Sequence, residues 1–440
     1  MHPEPQQKTY RLETYGCQMN KAESEALEIA LQEAGYTSAA DGHGASLVIL
    51  NTCAVRATAE QRIHGRLGEY RHQKQRRPFT LAVMGCMGER LKEDLRRQYP
   101  EIDIIIGPFQ KSRFLEALRR AESGNGAQER WEHGSYEFAA VHSRGDFKAF
   151  VPIMHGCNNY CSYCIVPYVR GPEVSRAPED VLSELKLIRE HGVREVTLLG
   201  QNVNSYAYGV NGNRLDFAGL LDLVADAMPP GIRIRFLTSH PKDMRRELIE
   251  KVASSPLFCR HVHLPVQHGS DRILSLMNRG YSRRQYIDLV RDLKNTVSGV
   301  TITTDILIGF PSETEDDVKR TLDLMEEVAF DDAYTYYYNP REGTKAFGFE
   351  DTVPRAEKLS RLQRVIEVNL NVKRERQLAR VGRSTTVLVE GVSKKNDTEL
   401  LGRTEHDEMI VFPGPRSLIG TFASVMPQEL QGTTFRGRLA

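Results

Sequence analysis

At 440 residues the chain exceeds what a single hydrophobic core sustains, so two to four domains are expected. Its 40% hydrophobic and 27% charged residues, with a net charge of +1, are ordinary for a soluble protein. No apolar run approaches the roughly 20 residues of a membrane helix, the opening MHPEPQQK has no apolar signal core, and seven thinly spread cysteines argue against a secreted disulfide framework. A cytoplasmic location with no membrane partner is expected, and Cys259 reads as an ordinary half-buried free thiol.

The first domain, residues 1–125, opens with a strand from Lys8 to Thr14, then YGCQMN, then a helix from about Lys21 to Ala34. Asn20 is its expected N-cap, with Glu23 three residues on and a stripe of Ala26, Leu27, Ala30 and Leu31. A strand at Leu47–Asn51 ends in Thr52-Cys53, ahead of a helix from about Ala57 to Arg77. Another at Thr80–Met84 ends in Gly85-Cys86-Met87-Gly88, ahead of a further helix. Alternating units of this kind make a doubly wound parallel α/β sheet, which places Cys17, Cys53 and Cys86 at one rim, outside the strands' carboxyl ends. Three such sulfurs suit a four-iron cubane with one iron left open; one core cysteine per strand is the plainer alternative. From Arg56 to Arg77 seven Lys/Arg face only Glu60 and Glu69. Arg71, Lys74, Arg76 and Arg77 at its end are candidate RNA contacts, with a solvated helix face as the other reading.

Residues 126–144 read as a linker, and residues 145–375 repeat strand and helix. Strands are expected at Ala149–Met154, Arg194–Leu199, Ile232–Leu237, Arg260–Leu264, Val300–Ile308 and Ala333–Tyr338, a partial (β/α)6 barrel open on one side. After the first strand comes HGCNNYCSYCIVPYVRG, with Cys157, Cys161 and Cys164 inside one short loop and no fourth cysteine nearby. A closed zinc site takes four ligands, whereas three thiolates on a cubane again leave one iron open. With Tyr163 before the third cysteine, the C-x3-C-x-aromatic-C pattern resembles the radical S-adenosylmethionine (SAM) superfamily. That resemblance implies that SAM chelates the open iron and is cleaved to a 5′-deoxyadenosyl radical. It suggests Tyr163, Arg176, Gly200, Gln201 and Gln267 as SAM contacts. His155, His240, His261, His263 and His268 lack metal-ligand spacing and read as structural, and Tyr334, Tyr336 and Tyr338 read as packing on one strand face.

Pro354 opens a helix whose stripe of Leu359, Leu362, Ile366 and Leu370 is expected to dock on a neighbour. Beyond it, alternating runs at Thr385–Glu390, Met409–Phe412 and Leu418–Val425 read as a small all-β barrel over residues 376–440. Its length and GRTEHDEMIVFPG resemble a TRAM domain, which implies RNA binding; Lys394, Lys395, Arg436 and Arg438 are the candidate contacts.

The whole order resembles the tRNA methylthiotransferase family, MiaB type, through TYGCQMN, GCNNYCSYCIVPYVRG, LLGQNVNSY and YNPREGTKA. Departures are His268 where a Ser is usual and Ser312 where a Gly is usual. The resemblance implies methylthio insertion at C2 of N6-isopentenyladenosine, position 37 of tRNA. It implies two [4Fe-4S] clusters, an auxiliary one on Cys17, Cys53 and Cys86 and a radical-generating one on Cys157, Cys161 and Cys164. SAM would serve as methyl donor and radical source. The partners implied are the tRNA anticodon stem-loop, an external electron donor and iron-sulfur assembly or carrier proteins. Methylthiolation of a ribosomal protein side chain and a non-enzymatic iron-sulfur RNA sensor are the alternatives.

Overall fold

The computed structural model describes residues 8–39, 44–54, 57–124, 138, 146–210 and 213–440. Arg56 and nearly all of the expected linker at 126–144 lie outside the described residues. The chain falls into two compact units, one of residues 1–142, 150–158 and 164–176, the other of residues 143–149, 159–163 and 177–440.

The first unit runs β1 (Thr9–Thr14), α1 (Gln18–Glu33), β2 (Thr37–Ser38), β3 (Leu47–Thr52), α2 (Ala57–Arg76), β4 (Thr80–Gly85), α3 (Cys86–Arg90), α4 (Lys92–Gln98), β5 (Ile104–Ile106) and α5 (Phe114–Glu122). The strands form one parallel sheet in the order β2-β1-β3-β4-β5. Side chains alternate across it, so Leu47, Ile49, Ala82 and Met84 pack with Leu27, Leu31 and Phe114 on one face. Val48, Leu50, Leu81 and Val83 pack with Ile63, Leu67 and Tyr70 on the other. Both faces of β3 and β4 are covered, as the continuous apolar runs LVIL and LAVM require. Each of their fully buried Val, Leu, Ile and Met side chains contributes about 1.5–3 kcal/mol.

The expected helix start needs correction. α1 begins at Gln18 with Cys17 as N-cap and no side-chain capping bond. Asn20 instead lies inside the helix, fully buried, and donates to Asn51 Oδ1 at 2.9 Å and to the Thr52 carbonyl at 3.1 Å. A bond to the neighbouring strand has outcompeted the local cap. The unit also holds most of β6 (Lys148–Pro152), then β7 (Met154–His155), α6 (Val166–Arg170) and β8 (Val174–Ser175), with β7 and β8 antiparallel.

The second unit continues with α7 (Pro178–Glu190), β9 (Glu195–Leu199), the hairpin β10 (Ala207–Val210) and β11 (Asn213–Asp216), α8 (Phe217–Ala227), β12 (Arg233–Leu237), α9 (Arg246–Ser254), β13 (His261–His263), α10 (Asp271–Leu276), α11 (Arg283–Thr296), β14 (Thr301–Ile308), α12 (Glu315–Val328) and β15 (Asp332–Tyr337). β9 and β12 pair in parallel, as do β13, β14 and β15. A single parallel bridge from Ile234 to Phe258 joins the two sets. At the other edge of β9 the Phe147 carbonyl accepts the Arg194 and Glu195 N–H groups. All six expected barrel strands are present.

α13 (Arg355–Leu378) is rotated from expectation: Leu359 and Leu370 are 44% and 49% exposed. The buried face carries Lys358, Arg361, Val365 and Asn369, because α13 docks through polar partners. Arg361 donates to Glu313 Oε1 at 2.9 Å, and Asn369 to the Ala333 carbonyl at 3.1 Å. Beyond it β16 (Thr385–Val392), β17 (Glu399–Thr404), β18 (Met409–Pro413), β19 (Phe422–Gln431) and β20 (Thr434–Leu439) close a barrel in the order β16-β17-β18-β20-β19. Arg233 and Arg235, both held by Glu195, donate to the carbonyls of Thr386, Arg403, Thr404 and Glu405 and clamp this barrel to β12.

His261, 4% exposed, meets Thr303 Oγ1 at 3.0 Å, and burial pushes its pKa down to about 3, with Asp407 opposing and Arg235 assisting. Its ring is neutral in the fold but titrates near 6.5 when unfolded. Stability is therefore intact above about pH 6.5 and declines toward pH 3, by about 1.4 kcal/mol per pH unit. Between pH 7 and 5, wild type should lose about 2 kcal/mol more unfolding free energy than His261→Gln. Equal losses in denaturant titrations would show that the ring is not held neutral.

Candidate metal centres and their surroundings

In the first unit the carboxyl ends of three adjacent strands are level. Thr14 lies opposite Asn51, Asn51 opposite Met84, and Thr52 opposite Gly85. Cys53 and Cys86 directly follow β3 and β4, and Cys17 follows the Tyr15-Gly16 turn after β1. The three expected cysteines thus stand along one rim. Cys17 is exposed, Cys53 and Cys86 are buried, and the Cys17 thiol donates to Asn20 Oδ1 at 3.2 Å. Two glycines make room: a Cβ on Gly16 would stand 2.8 Å from the Cys53 Cβ, and one on Gly85, at φ +94°, 2.4 Å from the Thr52 carbonyl oxygen.

Cys86 has a charged neighbourhood. Arg170, 3% exposed, points Nε at the Cys86 sulfur at 3.2 Å and donates Nη1 to Glu23 Oε1 at 3.0 Å and to His155 Nδ1 at 3.4 Å. Lys111 lies 3.6 Å from the same Glu23 oxygen. Burial pushes the Cys86 thiol up to about 12, against the pull of Arg170, and pushes Lys111 down to about 8. Burial likewise holds His155 well below its ordinary pKa, so it is a neutral partner there. A guanidinium on the sulfur, with the Lys111 ammonium close by, suits a thiolate-bound anionic group.

The loop carrying the other three cysteines is fixed through its backbone. Gly156, at φ +79°, sits where a Cβ would fall 1.9 Å from the Pro172 carbonyl oxygen, and the Cys157 N–H bonds the Gly171 carbonyl. In the second unit the Ser162 N–H and hydroxyl bond the carbonyls of Met277 and Leu276. Asn278 donates to the carbonyls of Asn159 and Tyr160. Tyr160 takes φ +44°, a strained value for a non-glycine residue beside Cys161. Cys157 and Cys161 are 9% and 8% exposed, and Cys164 is half-buried. The Cys161 sulfur receives Arg279 Nη1 at 3.3 Å. Arg170 and Arg279 both escape sequence reading, since an arginine far along the chain carries no local signal of a sulfur partner.

Among the other expected contacts, Tyr163 packs against Ile273, Met277, Phe310 and Tyr338, with its hydroxyl 3.5 Å from Arg279 Nη1. Arg176 is buried, donates to the Pro152 carbonyl at 3.3 Å, and lies over the Phe138 ring. Gly200 and Gln201 sit just past β9, half-buried. Gln267, at φ +71°, bridges β14 through Asp305 and Leu307. The histidines have structural partners: His263 meets Thr303, His240 accepts the Lys242 N–H, and buried His268 bonds Glu313 at 3.0 Å. Ser312 holds φ +65°, which accounts for a Gly being usual there. Tyr334 and Tyr336 are exposed at 45% and 36%, although the Tyr334 ring meets that of His263 edge-on, and only Tyr338 is buried as expected of a packing residue. Cys259 is fully rather than half buried, and burial raises its thiol to about 12.

The basic helix end is largely neutralised within its own unit. Arg71 pairs with Glu101 at 3.1 Å, Lys74 with Asp103, and Arg77 donates to the carbonyls of Gly44 and Ala45. Arg76 is exposed, as are Lys394, Lys395 and Arg438, whereas Arg436 pairs with Glu399.

Among the described residues no three His, Cys, Asp or Glu side chains converge as a single-ion site. The two cysteine triplets fit a cluster by donor chemistry: thiolates are the ligands iron-sulfur clusters take, and each triplet has a buried guanidinium on one sulfur.

Sequence profiles match the radical SAM superfamily at residues 151–325, the uncharacterized protein family UPF0004 at 9–107 and the TRAM domain at 378–440. A Treponema denticola protein named tRNA-2-methylthio-N(6)-dimethylallyladenosine synthase is 46% identical over 98% of this chain and 100% of its own length. A Moorella thermoacetica protein of the same name is 42% identical over 98% of each. Among solved structures, the radical SAM methyltransferase TsrM of Kitasatospora setae matches with TM-score 0.55 at 15% identity, covering 75% of this chain and 72% of that one, a likeness of fold alone.

Proposed function

The chain belongs to the tRNA-2-methylthio-N(6)-dimethylallyladenosine synthase family, and from that footing we propose that it adds a methylthio group to C2 of N6-isopentenyladenosine at position 37 of tRNA. The full-length match to the Treponema denticola relative carries this reading, and the rim of three cysteines supports it. The domain partition we infer is 1–125, 126–144, 145–375 and 376–440, in line with the three matched profiles.

Iron-sulfur and SAM chemistry come with the family. Cys157, Cys161 and Cys164 would hold one [4Fe-4S] cluster, and Cys17, Cys53 and Cys86 a second. An aromatic C2–H bond is too strong and too weakly acidic for a positioned base, and radical chemistry from SAM on a reduced cluster supplies the abstraction. The chain's own task is to hold and orient. Tyr163, Gly200, Gln201, Gln267 and Arg176 are the SAM contacts we propose. The glycines at the β1 and β4 ends keep the rim open to a bulky group. Exposed Arg76, Lys394, Lys395 and Arg438 supply phosphate contacts to the anticodon stem, with weaker shares from the internally paired Arg71, Lys74, Arg77 and Arg436. The anticodon loop is single-stranded, which lowers the cost of unstacking the target base. An external electron donor and iron-sulfur carrier proteins complete the system, in the cytoplasm where tRNA resides.

Incubation of reconstituted protein with SAM, reductant and isopentenylated tRNA should yield 2-methylthio-N6-isopentenyladenosine by nucleoside mass spectrometry. Unmodified tRNA from fully iron-loaded protein that cleaves SAM would overturn the substrate assignment.

A further inference from the structure

We propose that Arg279 is the fixed counter-charge of the cluster on Cys157, Cys161 and Cys164, holding the Cys161 sulfur and making that cluster easier to reduce. The inference rests on the ligand assignment above. Arg279 is 4% exposed, and its hydrogen-bond partners among the described residues are neutral groups or a sulfur. Nη1 reaches the Cys161 sulfur at 3.3 Å and the Tyr163 hydroxyl at 3.5 Å, Nη2 donates to the Pro265 carbonyl at 2.7 Å, and Nε to the Tyr281 hydroxyl at 2.9 Å. Its guanidinium also stands 5.3 Å from the Tyr281 ring centre.

Three other equally buried arginines meet carboxylates: Arg170 meets Glu23, Arg235 meets Glu195, and Arg361 meets Glu313. No carboxylate among the described residues pairs with Arg279. A buried, permanently charged guanidinium without an anion is strongly unfavourable. The group that removes the imbalance must be anionic and must touch Arg279 through Cys161. A thiolate-ligated cluster is such a group.

The backbone presets this contact. Asn278 and Gly280 take φ +58° and +71°, so the turn after α10 aims Arg279 inward, and the Arg279 N–H bonds the Leu274 carbonyl at 3.0 Å. The same turn grips the cysteine loop through the Asn278 amide at the carbonyls of Asn159 and Tyr160. Reduction adds one electron from a low-potential external donor to the cluster, with no bond made or broken and no proton moved. A fixed cation on a ligand sulfur favours that more negative state, because hydrogen bonds and charge at the sulfurs set cluster potentials.

The test uses full-length protein carrying Cys17→Ala, Cys53→Ala and Cys86→Ala, so that one cluster remains. Its midpoint is read by dithionite titration with electron paramagnetic resonance, without SAM. Arg279→Gln should lower the reduction equilibrium constant at least tenfold, about 59 mV for one electron. Arg279→Lys, which keeps the charge but loses the fork, should fall between. A Gln variant with the parent's iron content and a constant changed less than about twofold, or raised, would overturn the proposal. If the Gln variant folds but loses iron, the Lys variant decides: a potential equal to or above the parent's overturns it and a lower one supports it. An iron-free parent with Arg279 intact would refute the ligand assignment, a separate outcome.

Discussion

Replacing Cys157, Cys161 and Cys164 together with alanine should lower reconstituted iron from about eight to about four atoms per chain and abolish cleavage of SAM to 5′-deoxyadenosine. The protein should still fold, because backbone contacts anchor the loop. The Ser162 N–H on the Met277 carbonyl, the Asn278 amide on the carbonyls of Asn159 and Tyr160, and the Cys157 N–H on the Gly171 carbonyl all survive the substitution. What is lost is the donor set, and with it the anion against Arg279. A modest fall in thermal midpoint should accompany the iron loss, since a buried cation is then left unpaired. Iron analysis and chromatography of the SAM products read both effects. Loss of all iron with the fold intact would mean that the six cysteines do not divide into two independent triplets.

The parts of this molecule that were legible in the sequence are those where one local pattern sufficed. β3 and β4 are apolar runs that a doubly wound sheet buries on both faces, and the cysteines at their ends needed only chain order to be set on one rim. Features decided by distant partners were not legible. Asn20 has the composition of a cap but spends its side chain on Asn51 and Thr52, more than 30 residues away. The leucine stripe of α13 predicted the wrong face, because Glu313, Asp351 and Ala333 offer partners to Arg361, Lys358 and Asn369. β17 is not among the runs singled out in the sequence, since ELLGRT interleaves glycine and arginine with few apolar residues, whereas a last strand is expected at Arg436 and Arg438, where β20 lies. Arg170 and Arg279 lie 84 and 118 residues from the cysteines they contact, and an arginine is by default a surface residue.

The complementary triple change, Cys17, Cys53 and Cys86 to alanine, should separate the two halves of the reaction. Iron should again fall to about four atoms per chain, yet SAM should still be cleaved to 5′-deoxyadenosine. Methylthiolated nucleoside should fall below detection, because the sulfur atom has no place to be held. The sheet itself should persist: the level register of Thr14, Asn51 and Met84 is a backbone ladder, and Asn20 still ties α1 to β3. The guanidinium of Arg170 then loses the sulfur it meets, so a local loss of stability is expected there, larger at low salt. Persistence of the methylthiolated product in this variant would show that these three cysteines do not supply the transferred group. Loss of 5′-deoxyadenosine along with it, at unchanged fold and four irons, would show that the rim is needed for SAM cleavage too, contrary to the division of labour proposed for the two triplets.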